Sequence, residues 1–153
     1  MKLLLENWRR FVTEAEQSVG SIKEFFHSPE IRALAPPSTR PGSSKSPWML
    51  GGCLIAAEAI QRIFGGSLVG LDADAGEAPG DDLVHVVVKH KGGYLDAYGF
   101  HGGIEDIQKI LDDELSFGSP VYPLPVSVGQ ATDAGFRQDK RLSGEIASLF
   151  EEK

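Results

Sequence analysis

The chain has 153 residues, 41% apolar and 24% charged, enough for one compact domain with a real core and too few for two. Fifteen basic against twenty-two acidic residues leave a net charge of -7, which argues against nonspecific binding to nucleic acid or to an anionic membrane surface. A single cysteine excludes an internal disulfide and any multi-cysteine metal centre.

In chain order, the apolar start at 1–5 is interrupted by Glu6, Arg9 and Arg10, too soon for a signal peptide or a spanning helix. A reducing cytoplasm is therefore the expected compartment. Over 3–26, Leu4, Leu5, Trp8, Phe11, Val12, Ala15, Val19, Ile22, Phe25 and Phe26 recur at steps of three and four. That spacing predicts an amphipathic helix, or a pair divided at Gly20. Ser28-Pro29-Glu30 predicts an N-cap with proline at the first helical position, opening a short helix to Leu34. The stretch 36–47, PPSTRPGSSKSP, reads as a loop. After Gly51-Gly52, Cys53 opens LIAAEAIQRIF, apolar nearly all round and so a buried helix, which Gly65-Gly66 end. SLVGL at 67–71 predicts a short strand, followed by an acidic loop at 72–82. LVHVVVKH at 83–90 predicts a strand buried on both faces. Lys91-Gly92-Gly93 supplies turn chemistry, and 94–98 returns as the second strand of a hairpin. A helix is expected over 104–115, an edge strand or extended arm in VYPLPVSV with its two prolines, and a last helix over 138–151. The expected architecture is α+β: one domain over 1–153, with leading helices at 1–35, a core at 48–100 in which a central buried helix packs on a small antiparallel sheet, and a helix, a proline-rich segment and a terminal helix at 101–153.

Three residues of this core carry chemistry. The thiolate is the nucleophilic form of cysteine, and a helix N-terminus or an adjacent imidazolium favours it. Cys53 is expected at such a terminus, and Gly52 before it permits a tight turn and close approach of a substrate backbone. A base must reach the thiol and a carboxylate must orient that base. His85 on the buried strand and Asp96 on the next can meet across a hairpin, where same-face neighbours lie within ~5–8 Å. Alternation puts His85 on one face with Val87 and Lys89, and His90 on the other with Val86 and Val88. An even-numbered turn places Asp96 with His85; a three-residue turn places it with His90. His85 is preferred as the base because it lies away from the turn in an apolar setting.

The run W-x-x-G-G-C-x-x-A-A-x-A-I from Trp48, then Phe64-Gly65-Gly66, H-V-x-V from His85 and G-x-Y-x-D-A-x-G from Gly92 resembles the core of papain-like cysteine proteases in the broad sense. The bacterial transglutaminase-like branch is nearest by spacing. The resemblance covers about residues 48–100. It implies a chain order of Cys, His, then Asp or Asn, with Cys53 as nucleophile, His85 as general base and acid, and Asp96 as the orienting residue. It also implies a protein or peptide substrate and a Cys-His-Asp hydrolase or acyl transferase acting on an amide bond (a peptidase, amidase, deamidase or transglutaminase) with no cofactor. The chain departs from papain in lacking a glutamine shortly before the cysteine, so an oxyanion would rely on the Cys53 backbone N–H and another donor, with the Trp48 indole and Gly52 as candidates.

That departure keeps open a second expectation, an inactive interaction protein retaining the fold, of the kind carried by phage or mobile elements. His85, His90, Asp96 and His101 invite a metal reading, but no H-x-x-x-H or C-x-x-C spacing supports one and no metal is expected. His101 is expected in a loop before the 104–115 helix. Asp72, Asp74, Glu77, Asp81 and Asp82 lack EF-hand spacing and read as a solvated rim.

Overall fold

The computed structural model describes residues 20–35, 46–50, 52–73, 83–115 and 118–152. Of the helix expected over 3–26, the loop at 36–47 and the acidic loop at 72–82, residues 3–19, 36–45 and 74–82 lie outside the described residues. Three short helices lead in: α1 (Ile22–Phe26), α2 (Pro29–Arg32) and α3 (Pro47–Leu50). Then come α4 (Cys53–Phe64), β1 (Ser67–Asp72), β2 (Leu83–His90), β3 (Gly93–Asp96), β4 (Gly99–His101), α5 (Ile104–Leu115), β5 (Tyr122–Pro125), α6 (Val128–Asp133) and α7 (Lys140–Glu151). The fold is α+β, with α4 against a five-stranded antiparallel sheet of order β4-β3-β2-β1-β5 and helices at both ends.

Alternation along the strands divides the interior in two. Val86, Val88, Leu68 and Leu95 pack with α4, α1 and α7, while Val87, Val69 and Leu71 pack with Ile107 and Leu111 of α5. Both faces of β2 are thereby covered, which is why its sequence is apolar almost throughout. Every residue of α4 from Cys53 to Ile60 is buried, matching its all-round apolar character. At ~1.5–3 kcal/mol for each large aliphatic side chain withdrawn from water, Leu54, Ile55 and Ile60 alone make α4 the anchor of the domain. Ser143 of α7 donates its hydroxyl to the Ile55 carbonyl at 2.9 Å, tying the terminal helix to this anchor.

The β2–β3 connection is a two-residue turn, Lys91 and Gly92, both at positive φ (45° and 79°). Such a turn matches strand twist and gives a tight hairpin. Gly93 belongs to β3 and pairs with His90. Beyond Asp96 the chain turns at once, so the strand expected over 94–98 ends there, and a further strand, β4, follows the turn with Gly99 (φ 102°) across from Asp96. A bulge marks the other end of β2: Leu71 faces His85 but Asp72 faces Leu83, so Val84 is the extra residue. β5 pairs only with β1 at the sheet edge, where its prolines are tolerated. Among the described residues no helix is long and apolar enough to cross a membrane.

Candidate active site

Cys53 is the first residue of α4 and is 1% exposed. Gly52 precedes it without a side-chain cap, and its carbonyl accepts the Ala56 N–H at 2.9 Å. Glycine is required there by packing: a Cβ would stand 2.7 Å from Trp48 Cε3. Trp48 is fully buried, and its indole N–H donates to the Phe26 carbonyl at 3.0 Å. An indole has one N–H, so this donor is taken up in holding α1 against α3. The indole N–H expected as an oxyanion donor is thus engaged with the Phe26 carbonyl.

His85 and Asp96 come together across the hairpin. The register pairs Val88 with Leu95 and Lys89 with Tyr94, and continuing it sets Asp96 across from Val87, on the face that His85 shares. His85 Nε2 donates to Asp96 Oδ2 at 3.1 Å, with the two residues 1% and 2% exposed. Donation from Nε2 follows from the acceptor, because an ionised carboxylate has no proton to give. The other ring nitrogen, Nδ1, has no hydrogen-bond partner among the described residues.

Cys53 completes the cluster. Met49 packs with the α5-side residues, while Cys53 packs with the α4-side residues. Cys53 lies close enough to His85 to raise its proton affinity. Burial is the largest influence on His85 and would depress its pKa. The Asp96 hydrogen bond and the neighbouring Cys53 outweigh burial and hold the imidazole at about 9. Asp96 is subject to the same contest. Burial would raise its pKa, but hydrogen bonds from His101 and His85 keep it well below the usual carboxylate range.

His101 is the residue that the loop expectation misplaced. It lies on β4, 6% exposed, and donates from Nε2 to Asp96 Oδ1 at 2.8 Å. The Tyr98 N–H reaches the same oxygen at 2.8 Å. A weak signal was present: in Gly99-Phe100-His101, alternation sends Phe100 outward when His101 turns inward, and Phe100 is 47% exposed. His90 stands apart, against the Phe64 ring at 6.0 Å between centroids, and its pKa is lowered by burial and by Lys91. His27 flanks the cluster: its ring lies tilted against Tyr98 at 4.7 Å between centroids, and Lys23 sits above the same ring at 5.6 Å. Among the described residues no group of three His, Cys, Asp or Glu side chains is arranged to hold a metal ion.

The assembled geometry is a thiol at a helix start, an imidazole beside it and a carboxylate on the far side of the imidazole. That sequence of groups can activate a sulfur nucleophile and shuttle its proton. No family model, curated protein or solved structure matches the chain.

Proposed function

We propose that the chain is a cysteine-nucleophile enzyme of the hydrolase or acyl-transfer class, acting on an amide bond of a protein or peptide substrate. The observation that carries this reading is the polarity of His85: Nε2 is committed to Asp96, and Nδ1 is left without a partner while Cys53 adjoins the ring. Because His85 keeps its proton up to about 9, Nδ1 holds the proton given up by the thiol, and the nucleophile is the thiolate of a thiolate–imidazolium pair. The sulfur attacks the amide carbon, and the tetrahedral oxyanion accepts a hydrogen bond from the Cys53 backbone N–H. The C–N bond breaks as Nδ1 returns the proton to the departing amine, leaving a thioester. Water or a second amine attacks the thioester carbon, Nδ1 takes and then returns the proton, and the thiol is restored. Water yields a hydrolase and an amine yields a transglutaminase.

Two observations favour the second reading, a noncatalytic interaction protein: Cys53 is 1% exposed, and the Trp48 N–H is used in packing. The pH dependence of iodoacetamide modification separates the two, with adducts located by mass and Cys53→Ser as the blank. An activated site alkylates at Cys53 well below pH 8. His85→Gln should slow that reaction at pH 6.5 by about tenfold or more and return it toward the profile of an ordinary thiol of pKa ~8.5. Equal rates in the two proteins, or modification only after denaturation, would support the interaction protein instead.

A further inference from the structure

The carboxylate of Asp96 is held by more donors than an orienting residue needs. His85 takes one oxygen, while His101 and the Tyr98 N–H together occupy both lone pairs of the other. The donors come from the strands on either side of β3, namely β2 and β4, and from the turn that follows β3. His101 pairs with Tyr94 across the β3–β4 ladder, two positions from Asp96, and Gly99, directly opposite Asp96, has no side chain to intervene. We propose that His101 is a positioning residue, which fixes the plane of the Asp96 carboxylate so that Oδ2 stays directed at His85 Nε2. This inference rests on the triad reading and adds a fourth side chain to it.

The Tyr98 N–H alone does not suffice for that task. It comes from two residues along the same chain and fixes where Oδ1 lies, but one hydrogen bond lets the carboxylate swing about that contact. A second donor, projecting from β4, removes the swing. The bond lengths agree with an anchor on one side and a working contact on the other: 2.8 Å to His101 against 3.1 Å to His85. A competing effect has the opposite sign. A donor on Oδ1 draws charge from Oδ2 and weakens it as an acceptor, but such polarisation changes a neighbouring bond by only ~10–30%. Misalignment of a buried hydrogen bond removes more, because its strength falls steeply with angle. Positioning therefore outweighs competition. The charged and titratable groups around Asp96 are His85 from β2, His101 from β4, and His27 from α1 with Lys23 behind Tyr98.

The test compares wild type with His101→Phe, which keeps a ring without its donor, and His101→Gln, which restores an N–H. Imidazole NMR follows the titration of His85, and alkylation of Cys53 follows its consequence. In His101→Phe the His85 titration should move down by about one pH unit, and the low-pH limb of the alkylation profile should weaken with it. His101→Gln should recover most of both. An unchanged His85 titration in a folded His101→Phe would make His101 a structural hydrogen bond only, and an upward move would make it a competitor for charge; either overturns the proposal. Should His101→Phe fail to fold, His101→Gln against His101→Leu supplies the same comparison. The triad reading fails separately, if Cys53 alkylation in the wild type ignores His85→Gln.

Discussion

Asp96→Asn is the most informative single substitution, because it keeps shape and changes only what the side chain accepts. In the wild type all three neighbours donate: Tyr98 N–H and His101 Nε2 to one oxygen, His85 Nε2 to the other. An asparagine offers one acceptor and one donor. The Tyr98 N–H belongs to the backbone and cannot reverse, so the amide oxygen stays there and the NH2 faces His85. Two donors then meet, and the neutral imidazole must move its proton from Nε2 to Nδ1, the nitrogen through which the proposed chemistry exchanges the thiol's proton. The energetic consequence follows from linkage. His85 is raised from 6.5 to about 9, so the folded protein holds a proton that the unfolded chain releases between those values. That contribution is fully present below pH 6.5 and is lost as pH rises through about 9. At ~1.4 kcal/mol per pH unit it is worth ~3 kcal/mol. Asp96 gives the same pairing seen from its partner and is counted once. Asp96→Asn should therefore destabilise the protein by ~3 kcal/mol more at pH 6 than at pH 10, where His85 is neutral and what is lost is hydrogen bonding to a carboxylate that is still ionised. Urea denaturation at the two pH values measures this, and 15N-imidazole NMR near pH 8 reads the tautomer. A pH-independent loss, or a neutral His85 still protonated at Nε2, would refute the reasoning.

Two further substitutions test the frame around Cys53. Trp48→Phe retains a ring but leaves the buried Phe26 carbonyl without its donor, and should cost ~1–3 kcal/mol in chemical denaturation. Gly52→Ala drives a Cβ to 2.7 Å from the Trp48 ring and should cost ~1–3 kcal/mol, with slower Cys53 alkylation as α4's first turn shifts; an alanine variant as stable as the wild type would mean that the ring gives way freely.

Much of the architecture was legible because periodicity and punctuation agree. The buried helix, its glycine ending, the valine-rich strand and the proline-bearing edge strand occupy the expected stretches. The site was legible up to a choice between two faces. Which face Asp96 shares depends on whether Gly93 is a turn residue or a strand residue, and composition does not distinguish these. The backbone does, because Lys91 accepts positive φ and closes the turn in two residues. β4 was missed because three residues, one of them a glycine, carry too little alternation to register, and His101 was misplaced with it. Helix α6 was missed although its capping box is written in the chain: Ser127 accepts from the Gln130 N–H while the Gln130 side chain accepts from the Ser127 N–H. Trp48's donor could not have been assigned, since its acceptor lies 22 residues away in a carbonyl that any helix end could supply.

The cluster is a poor way to stabilise a domain, and that is the physical ground for reading it as functional. Buried ion pairs replaced by apolar side chains of similar volume commonly leave a protein as stable or more so by ~1–4 kcal/mol. Positions 85 and 96 adjoin the buried aliphatic side chains of Val86, Val87, Leu95 and Ala97. A chain arranged for stability alone would carry that packing through. Instead it places two imidazoles and a carboxylate there, ends α1 on the Trp48 indole, and leaves one imidazole nitrogen without a partner beside the only thiol in the sequence. Polar groups satisfied among themselves would need no further account, since a closed network can be structural. An unsatisfied buried nitrogen has an energetic cost that packing does not recover. Proton transfer at that nitrogen gives its position a purpose, and the same seclusion from water that makes the arrangement costly would strengthen each charge interaction within it.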